Sequence, residues 1–178
     1  GSGRSIPKFN LFRAFTDCSS HLIQFGGHAY AAGLSIEEEN IDNFCVAMNK
    51  VGSRYLQEKD LIPKLRIDSI LKLSQIDFAL YKSLSLLEPF GAENPVPTFQ
   101  SNEVKIKEVK YIGKEKNHIR FYATQGAGNI AVVAFNFAHI FDSIDIANEV
   151  FDITYELHLN TWNGREKLEL RLLDLRGM

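Results

Sequence analysis

VFDITYELHLNTWNGREKLELRLLDLR, residues 150–176, contains two stretches of alternating apolar and polar side chains separated by an Asn-Gly pair. In the first, Phe151, Ile153, Tyr155, Leu157 and Leu159 point one way; in the second, Leu168, Leu170 and Leu172 alternate with Glu169 and Arg171. A period of two belongs to a strand with one buried face. Asn163-Gly164 supplies the residues that tolerate positive φ in a two-residue hairpin turn. The spacing predicts strands over 150–160 and 167–175, joined as a hairpin.

Upstream, the pattern recurs three times. Val104, Ile106, Val109 and Tyr111 predict a strand with one irregularity at Glu108, where a bulge would restore the alternation. Lys114–Asn117 turns the chain into a strand over 118–124, and Gln125–Gly128 into another over 129–136. Phe137–Ile146 has helical spacing. Five strands with one helix between the third and fourth is the order of an OB-fold, a small Greek-key barrel. An SH3-like barrel or a plain meander accommodates the same elements.

The first hundred residues read as helix, strand, helix, linker, helix. Leu11, Phe12, Phe15, Cys18 and Leu22 predict one buried helix face over 10–24, capped by Asn10 and ended by Gly26-Gly27. A short strand at 31–36 leads to a helix over 37–56, whose face is Ile41, Phe44, Cys45, Met48, Val51 and Tyr55. Ser35 and Glu38 have capping-box spacing, and Glu37, Glu38 and Glu39 suit the positive end of its dipole. Residues 57–73 read as a linker entering a strand. Ser74 is the expected cap of a helix over 75–87 with Ile76, Ala79, Leu80, Leu84 and Leu87 inward. Pro89, Gly91, Pro95 and Pro97 then forbid helix or central strand. The fold class is therefore α+β.

Composition bounds the function. The chain has 178 residues, 45% apolar and 24% charged, with a net charge of −2. That balance is globular, and no apolar run is long enough for a membrane-spanning helix. The segment GSGRSIPKF lacks the apolar core of a signal peptide, and two cysteines, Cys18 and Cys45, fit a reducing cytoplasm. Charge is uneven: residues 101–125 hold Lys105, Lys107, Lys110, Lys114, Lys116 and Arg120 against Glu103, Glu108 and Glu115. There is no Asp-His-His run, His-x-x-x-His, Cys-x-x-Cys or phosphate-binding glycine loop of the Walker type. No metal site and no self-contained catalytic centre is expected.

Three segments remain as binding candidates. In GGHAYAAG, residues 26–33, two glycines before His28 let backbone N–H groups approach an anion that the imidazole also reaches. A helix C-cap followed by a core histidine explains the same residues. In Gly1-Ser2-Gly3-Arg4-Ser5, the Arg fork and the hydroxyls suit a phosphate, with a frayed terminus as the alternative. Tyr111, Phe121, Tyr122, Phe135, Phe137 and Trp162 interleave with the six basic residues, as stacking platforms do beside a single-strand groove. A small barrel needs most such rings inside, so one or two at most are expected at the surface. Read that way, the basic run is the solvated face of a strand pair.

Taken in order, GSGRSIPKFNL, FGGHAYAAGLSI, LLEPFGAENPVPTF, AVVAFNFA and WNGREKLELRLLDLR resemble the RecJ family of bacterial single-stranded-DNA-specific 5′→3′ exonucleases. The resemblance runs over essentially the whole chain. It implies that residues 1–60 are the C-terminal portion of a DHH-associated α/β domain. Residues 61–178 would be an OB domain with an entry helix at about 74–87. The family's DHH domain, with its Asp and His metal ligands, is not in this sequence, so the chain is expected to be a fragment and inactive alone. For the parent enzyme the resemblance implies Mn2+- or Mg2+-dependent release of 5′-mononucleotides from single-stranded DNA in repair and recombination. Single-strand-binding protein and a helicase are implied partners. Ser2, Arg4 and Ser5 fall on the element that holds the 5′ phosphate, and His28 with Gly26 and Gly27 on the element facing the scissile phosphate. Lys105, Lys107, Lys110, Lys114, Lys116, Arg120 and Trp162 are the candidates for the DNA-guiding surface on physical grounds alone. A stand-alone nucleic-acid- or protein-binding OB module, and a phosphoesterase of small nucleotides, are the competing readings.

Overall fold

The structure, a computed structural model, describes residues 1–177 and divides into two compact units, residues 1–64 and the chain from Leu65 onward. In the first unit, β1 (Ser2–Arg4), β2 (Gln24–Gly27) and β3 (Ala31–Ser35) form an antiparallel sheet with β3 in the middle. Helices α1 (Leu11–Asp17) and α2 (Ile41–Tyr55) complete the unit, followed by one turn, α3 (Glu58–Leu61). Leu11, Phe15 and Ala32 form a buried cluster with Phe25, Leu34, Phe44 and Met48, and Ala14, Cys18 and Val51 form a second.

Helix α1 starts as the sequence predicts, with the Arg13 N–H donating to Asn10 Oδ1 at 3.0 Å. It ends ten residues before Gly27. After Cys18 only a 3-10 turn, Ser19–His21, remains of the expected helix, and Gly26-Gly27 belongs to β2 instead of a C-cap. Sheet pairing overrides helix continuation because Phe25 pairs with Leu34 beside the apolar cluster. Helix α2 likewise begins later than expected, the three glutamates lying in and before a 3-10 turn over Glu38–Asn40, while Ser35 stays in β3. Cys45, Ile41 and Tyr55 are exposed, so the buried stripe of α2 is narrower than its periodicity suggested.

The second unit is a closed five-stranded barrel. It is built from β5 (Thr98–Ile112), β6 (His118–Gln125), β7 (Gly128–Ala134), β8 (Phe151–Trp162) and β9 (Arg165–Gly177). The order is β5-β6-β7-β9-β8, and β8 closes back on β5; β7–β9 is the one parallel pair in that ring. This is the OB arrangement, and it excludes the meander. A two-residue strand, β4 (Ser69–Ile70), lies parallel to β5. The turn Asn163-Gly164 has positive φ at both residues, as a primed hairpin turn requires.

Strand β5 pairs with β8 through its first half and with β6 through its second, so it must change neighbours midway. Register shifts at Ser101/Val104 and Lys107/Lys110 carry that change, with Glu103 and Glu108 both at φ 53°. The irregularity expected at Glu108 is one of two such bulges. The interior is filled by alternate residues of every strand, including Val104, Ile106, Ile119, Phe121, Val132, Phe151, Ile153, Tyr155 and Leu170.

Helix α4 spans Phe78–Ser85 and is capped by Asp77, whose Oδ1 accepts the Leu80 N–H at 2.8 Å. Ser74 instead lies in a 3-10 turn, Leu73–Gln75. Ile76, Leu80, Tyr81 and Leu84 lie against the barrel core, whereas Ala79 and Leu87 are exposed, Leu87 lying beyond the end of the helix. A Cβ on Gly128 would lie 2.7 Å from Leu73 Cβ, so this glycine lets the 3-10 turn seal the barrel end. The helical stretch expected at 137–146 shortens to α5 (Ala138–Phe141).

One polar network sits inside the barrel. The buried Ser101 hydroxyl donates to the Leu71 carbonyl at 2.7 Å and so accepts from the Tyr155 hydroxyl at 2.8 Å. Burial of Tyr155 pushes its pKa up to about 12 from 10.0. The folded state then holds this proton after the unfolded chain releases it. The contribution is complete below pH 10 and is lost as pH rises toward 12. Urea unfolding as a function of pH should show that loss, and Tyr155→Phe should remove this group's share of the alkaline slope. The same substitution should cost about 1 kcal/mol at neutral pH.

Candidate nucleic-acid interface

The sheet of the first unit has one face against its helices and one free of them. Ala32, Leu34 and Phe25 occupy the core face. By strand alternation, Ser2, Arg4, Ala31, Gly33 and Gly26 lie on the other, with Ser2 opposite Gly33 and Gly33 opposite Gly26. Next to Arg4 that face therefore carries only glycines, Ser2 and Ala31, with Gln24 and Ser35 at its far end. Residues 28–31 form a tight turn, with the His28 N–H donating to the Ala31 carbonyl at 2.7 Å. The turn is tied to its surroundings by Ser5 N–H to Tyr30 O at 2.9 Å and Leu11 N–H to Ala29 O at 2.8 Å. Arg4 pairs with Ala31, so Arg4 and His28 flank the same residue and both are exposed. The structure thus brings together the two segments singled out in the sequence as candidates for a phosphate. Ser5 is the exception in detail, because its hydroxyl already donates to the Phe9 carbonyl at 2.6 Å.

The two glycines of this element differ. A Cβ on Gly27, at φ 142°, would stand 2.4 Å from Ala31 O and 2.5 Å from Ala32 Cα; a Cβ on Gly26 would meet nothing within 4 Å. Gly27 is required by the backbone, whereas Gly26 only keeps the face bare.

On the barrel, the outward positions of β5, β6, β7 and β9 form cross-strand rows. One runs Lys105, Thr124, Asn129; the next Lys107, Tyr122, Ala131, Glu169; the third Lys110, Arg120, Val133, Arg171. The bulge at Glu108 keeps Lys110 in phase with Lys105 and Lys107. Strand β9 pairs with β7 only over Glu169–Arg171, while the β8–β9 hairpin continues beyond that contact to its tip. The hairpin consequently leaves a cleft between itself and β7.

That cleft encloses about 710 Å3 and is lined by Arg120, Tyr122, Asn129, Trp162, Arg165 and Lys167, with Phe78 of α4 at its edge and Glu166 and Glu169 beside the cations. A second hollow of about 580 Å3, lined by Lys105, Lys107, Thr124 and Gln125, shares Tyr122 and Asn129 with the first. This is the face, strands two and three with the adjoining loops, on which OB-folds take oligonucleotides. Trp162 is 75% exposed and Tyr122 37%. Of the sequence candidates, Arg120 and Trp162 line the larger cleft and Lys105 and Lys107 the smaller. Lys110, Lys114 and Lys116 line neither. Four of the six aromatics, Tyr111, Tyr122, Phe135 and Trp162, are exposed, more than expected, because Ile, Val and Leu fill much of the interior. Arg165 and Lys167 were overlooked, although the Asn-Gly turn sets Arg165 opposite Trp162 and Lys167 opposite Asn160.

The RecJ OB domain pattern matches residues 67–174. The chain belongs to the RecJ OB domain family. Similarity to RecJ proteins extends beyond that domain. The single-stranded-DNA-specific exonuclease RecJ of Bacillus subtilis is 30% identical over 187 aligned residues, which cover 99% of this chain and 24% of the relative. That of Haemophilus influenzae is 28% identical, covering 96% and 30%. The crystal structure of Thermus thermophilus RecJ in complex with Mg2+ superposes with a TM-score of 0.76 at 25% identity, covering 99% of this chain and 26% of that one; a second has Mn2+. The chain thus spans less than a third of the length of these relatives. Among the described residues, no three His, Cys, Asp or Glu side chains are gathered so as to hold a metal ion.

Unfolding measurements should separate the two glycines. Gly27→Ala should destabilise the first unit by about 2 kcal/mol, whereas Gly26→Ala should shift it by less than about 0.5 kcal/mol.

Proposed function

We propose that this chain is the substrate-binding C-terminal part of a RecJ-like single-stranded-DNA-specific 5′→3′ exonuclease acting in repair and recombination. Residues 1–60 are read as the end of the DHH-associated domain and residues 61–178 as the OB domain. The observation that carries the reading is the barrel cleft, whose lining combines Trp162, Tyr122 and Phe78 with Arg120, Arg165 and Lys167. Rings of that kind stack unpaired bases at about 1–3 kcal/mol each, while the cations follow the phosphates. Lys105 and Lys107 extend the track on the β5 side, with Lys110, Lys114 and Lys116 on and beyond the same edge.

In the first unit, Ser2 and Arg4 are assigned to the 5′ phosphate. Arg4 donates one N–H to the Gly3 carbonyl at 3.1 Å and has its remaining donors for an anion. Ser5 would reach that phosphate only by releasing Phe9. His28, beside Gly26 and Gly27, is assigned to the phosphate being cleaved, where an N–H donor would offset charge building on its oxygens. Hydrolysis itself is assigned to a DHH domain using Mn2+ or Mg2+, supplied by the rest of the enzyme. Single-strand-binding protein and a helicase in the bacterial cytoplasm complete the proposed setting.

Fluorescence titration with oligothymidylate tests the barrel. Binding should weaken with salt, with a logarithmic slope of about −2 for three phosphate contacts. Trp162→Ala should lower affinity about tenfold, and a duplex of equal length should bind more weakly than the single strand. No affinity for single strands at low salt would overturn the reading. Incubated with Mn2+ and labelled single strands, the chain alone should release no nucleotides; sustained degradation would show that it carries its own catalytic centre.

A further inference from the structure

Lys110, Lys114 and Lys116 lie outside both clefts, and the structure shows what stands beside them. At the end of the outer face beyond Arg120, three side chains converge. The Phe135 ring is 47% exposed, its centroid 5.2 Å from that of His118 with the planes at 74°. The Arg171 guanidinium carbon lies 5.5 Å from the Phe135 centroid. His118 is oriented by the Asn136 N–H, which donates to its Nδ1 at 3.0 Å and leaves Nε2 to present the ring's N–H. Asn117 holds the same corner, its side chain donating to Asn136 Oδ1 at 3.2 Å and its carbonyl accepting the Ala138 N–H. Among the described residues none of Lys110, Lys114, Lys116, Arg120 and Arg171 is held in an ion pair. Glu156, opposite Arg171 in register, faces His158 at 3.2 Å.

From this we infer that His118, Phe135 and Arg171 form a second station for the same single strand, stacking one base on the Phe135–Arg171 pair and placing a phosphate among Arg171, Arg120 and Lys110. The inference rests on the reading of the barrel as a single-strand binder. Its chemistry is an exposed ring backed by a guanidinium, with an oriented N–H donor alongside. Its position is different. Tyr122 and His118 are four positions apart on β6, a span of about 14 Å, or about four stacked nucleotides at 3.4 Å each. A strand seated in the Trp162 cleft needs that extra length to reach it.

Oligothymidylates of about four and about fifteen nucleotides, within the site sizes of OB-folds, distinguish the stations. Phe135→Ala should weaken binding of the long oligomer about tenfold and leave the short one within about twofold. Arg171→Ala, a second variant at the same station, should reduce the salt slope by about 0.7 for the long oligomer only. Trp162→Ala should weaken both lengths. If Phe135→Ala and Arg171→Ala leave the long oligomer unchanged while Trp162→Ala weakens both lengths, the second station is wrong and the cleft stands. Equal weakening of both lengths by Phe135→Ala would also overturn it. If none of the three variants alters binding, the barrel reading fails with it.

Discussion

Closure of the barrel by a single strand that serves two neighbours is the constraint on which the candidate binding surface depends. Strand β5 leaves β8 and joins β6 within fifteen residues, and it does so by placing Glu103 and Glu108 in the left-handed region. Each such residue costs about 1–2 kcal/mol relative to ordinary backbone, which the ladders on both sides of β5 offset. The side-chain phase follows. Ser101 and Val104 both face inward across the first bulge, and Lys107 and Lys110 both face outward across the second. Without the second bulge, Lys110 would turn inward and Val109, which packs on the core, would turn out.

The same closure explains why there is a cleft. A parallel β7–β9 contact of three residue pairs closes the ring, and everything beyond it on the hairpin is free to lean away from the barrel. The hairpin tip then carries Trp162 and Arg165 face to face in register. In the first unit a comparable result comes from close approach instead of curvature: Gly27 must be glycine because β3 backbone lies against it, and the turn that follows sets His28 next to the Arg4–Ala31 pair.

Much of the barrel was legible from alternation alone, because its strands bury one face and expose the other. The hairpin, the bulge at Glu108 and the turn at 125–128 were all readable for that reason. The first unit was less legible, since residues 18–25 have apolar spacing compatible with a helix and only the long-range pairing of Phe25 with Leu34 makes part of them a strand. Helix caps went astray by a few residues where two polar side chains competed, as Ser74 and Asp77 did. Of the candidate binding surface, the basic residues were visible but their grouping was not. Lys105 and Lys107 separate from Lys114 and Lys116 only once the rows are known. Phe135 gains its Arg171 neighbour from a strand 36 positions away, through the β7–β9 pairing. Arg165 and Lys167 could have been found by pairing residues across the Asn-Gly turn.

The balance of charge says which force would give the larger cleft its preference. Arg120, Arg165 and Lys167 share their walls with Glu166 and Glu169, so the net excess is a single positive charge. In the smaller hollow Lys105 and Lys107 face Glu103 and Glu108, leaving none. Surfaces so nearly neutral attract a phosphate backbone only at close range, and charge alone would favour the duplex, whose phosphates are the more densely spaced. Trp162, Tyr122 and Phe78 would reverse that preference. A duplex has its base faces occupied by its own stack, whereas an unpaired strand can turn its bases onto the rings. On this argument, discrimination between the two forms of DNA would belong to the aromatic side chains, and the cations would set where along the face the backbone runs.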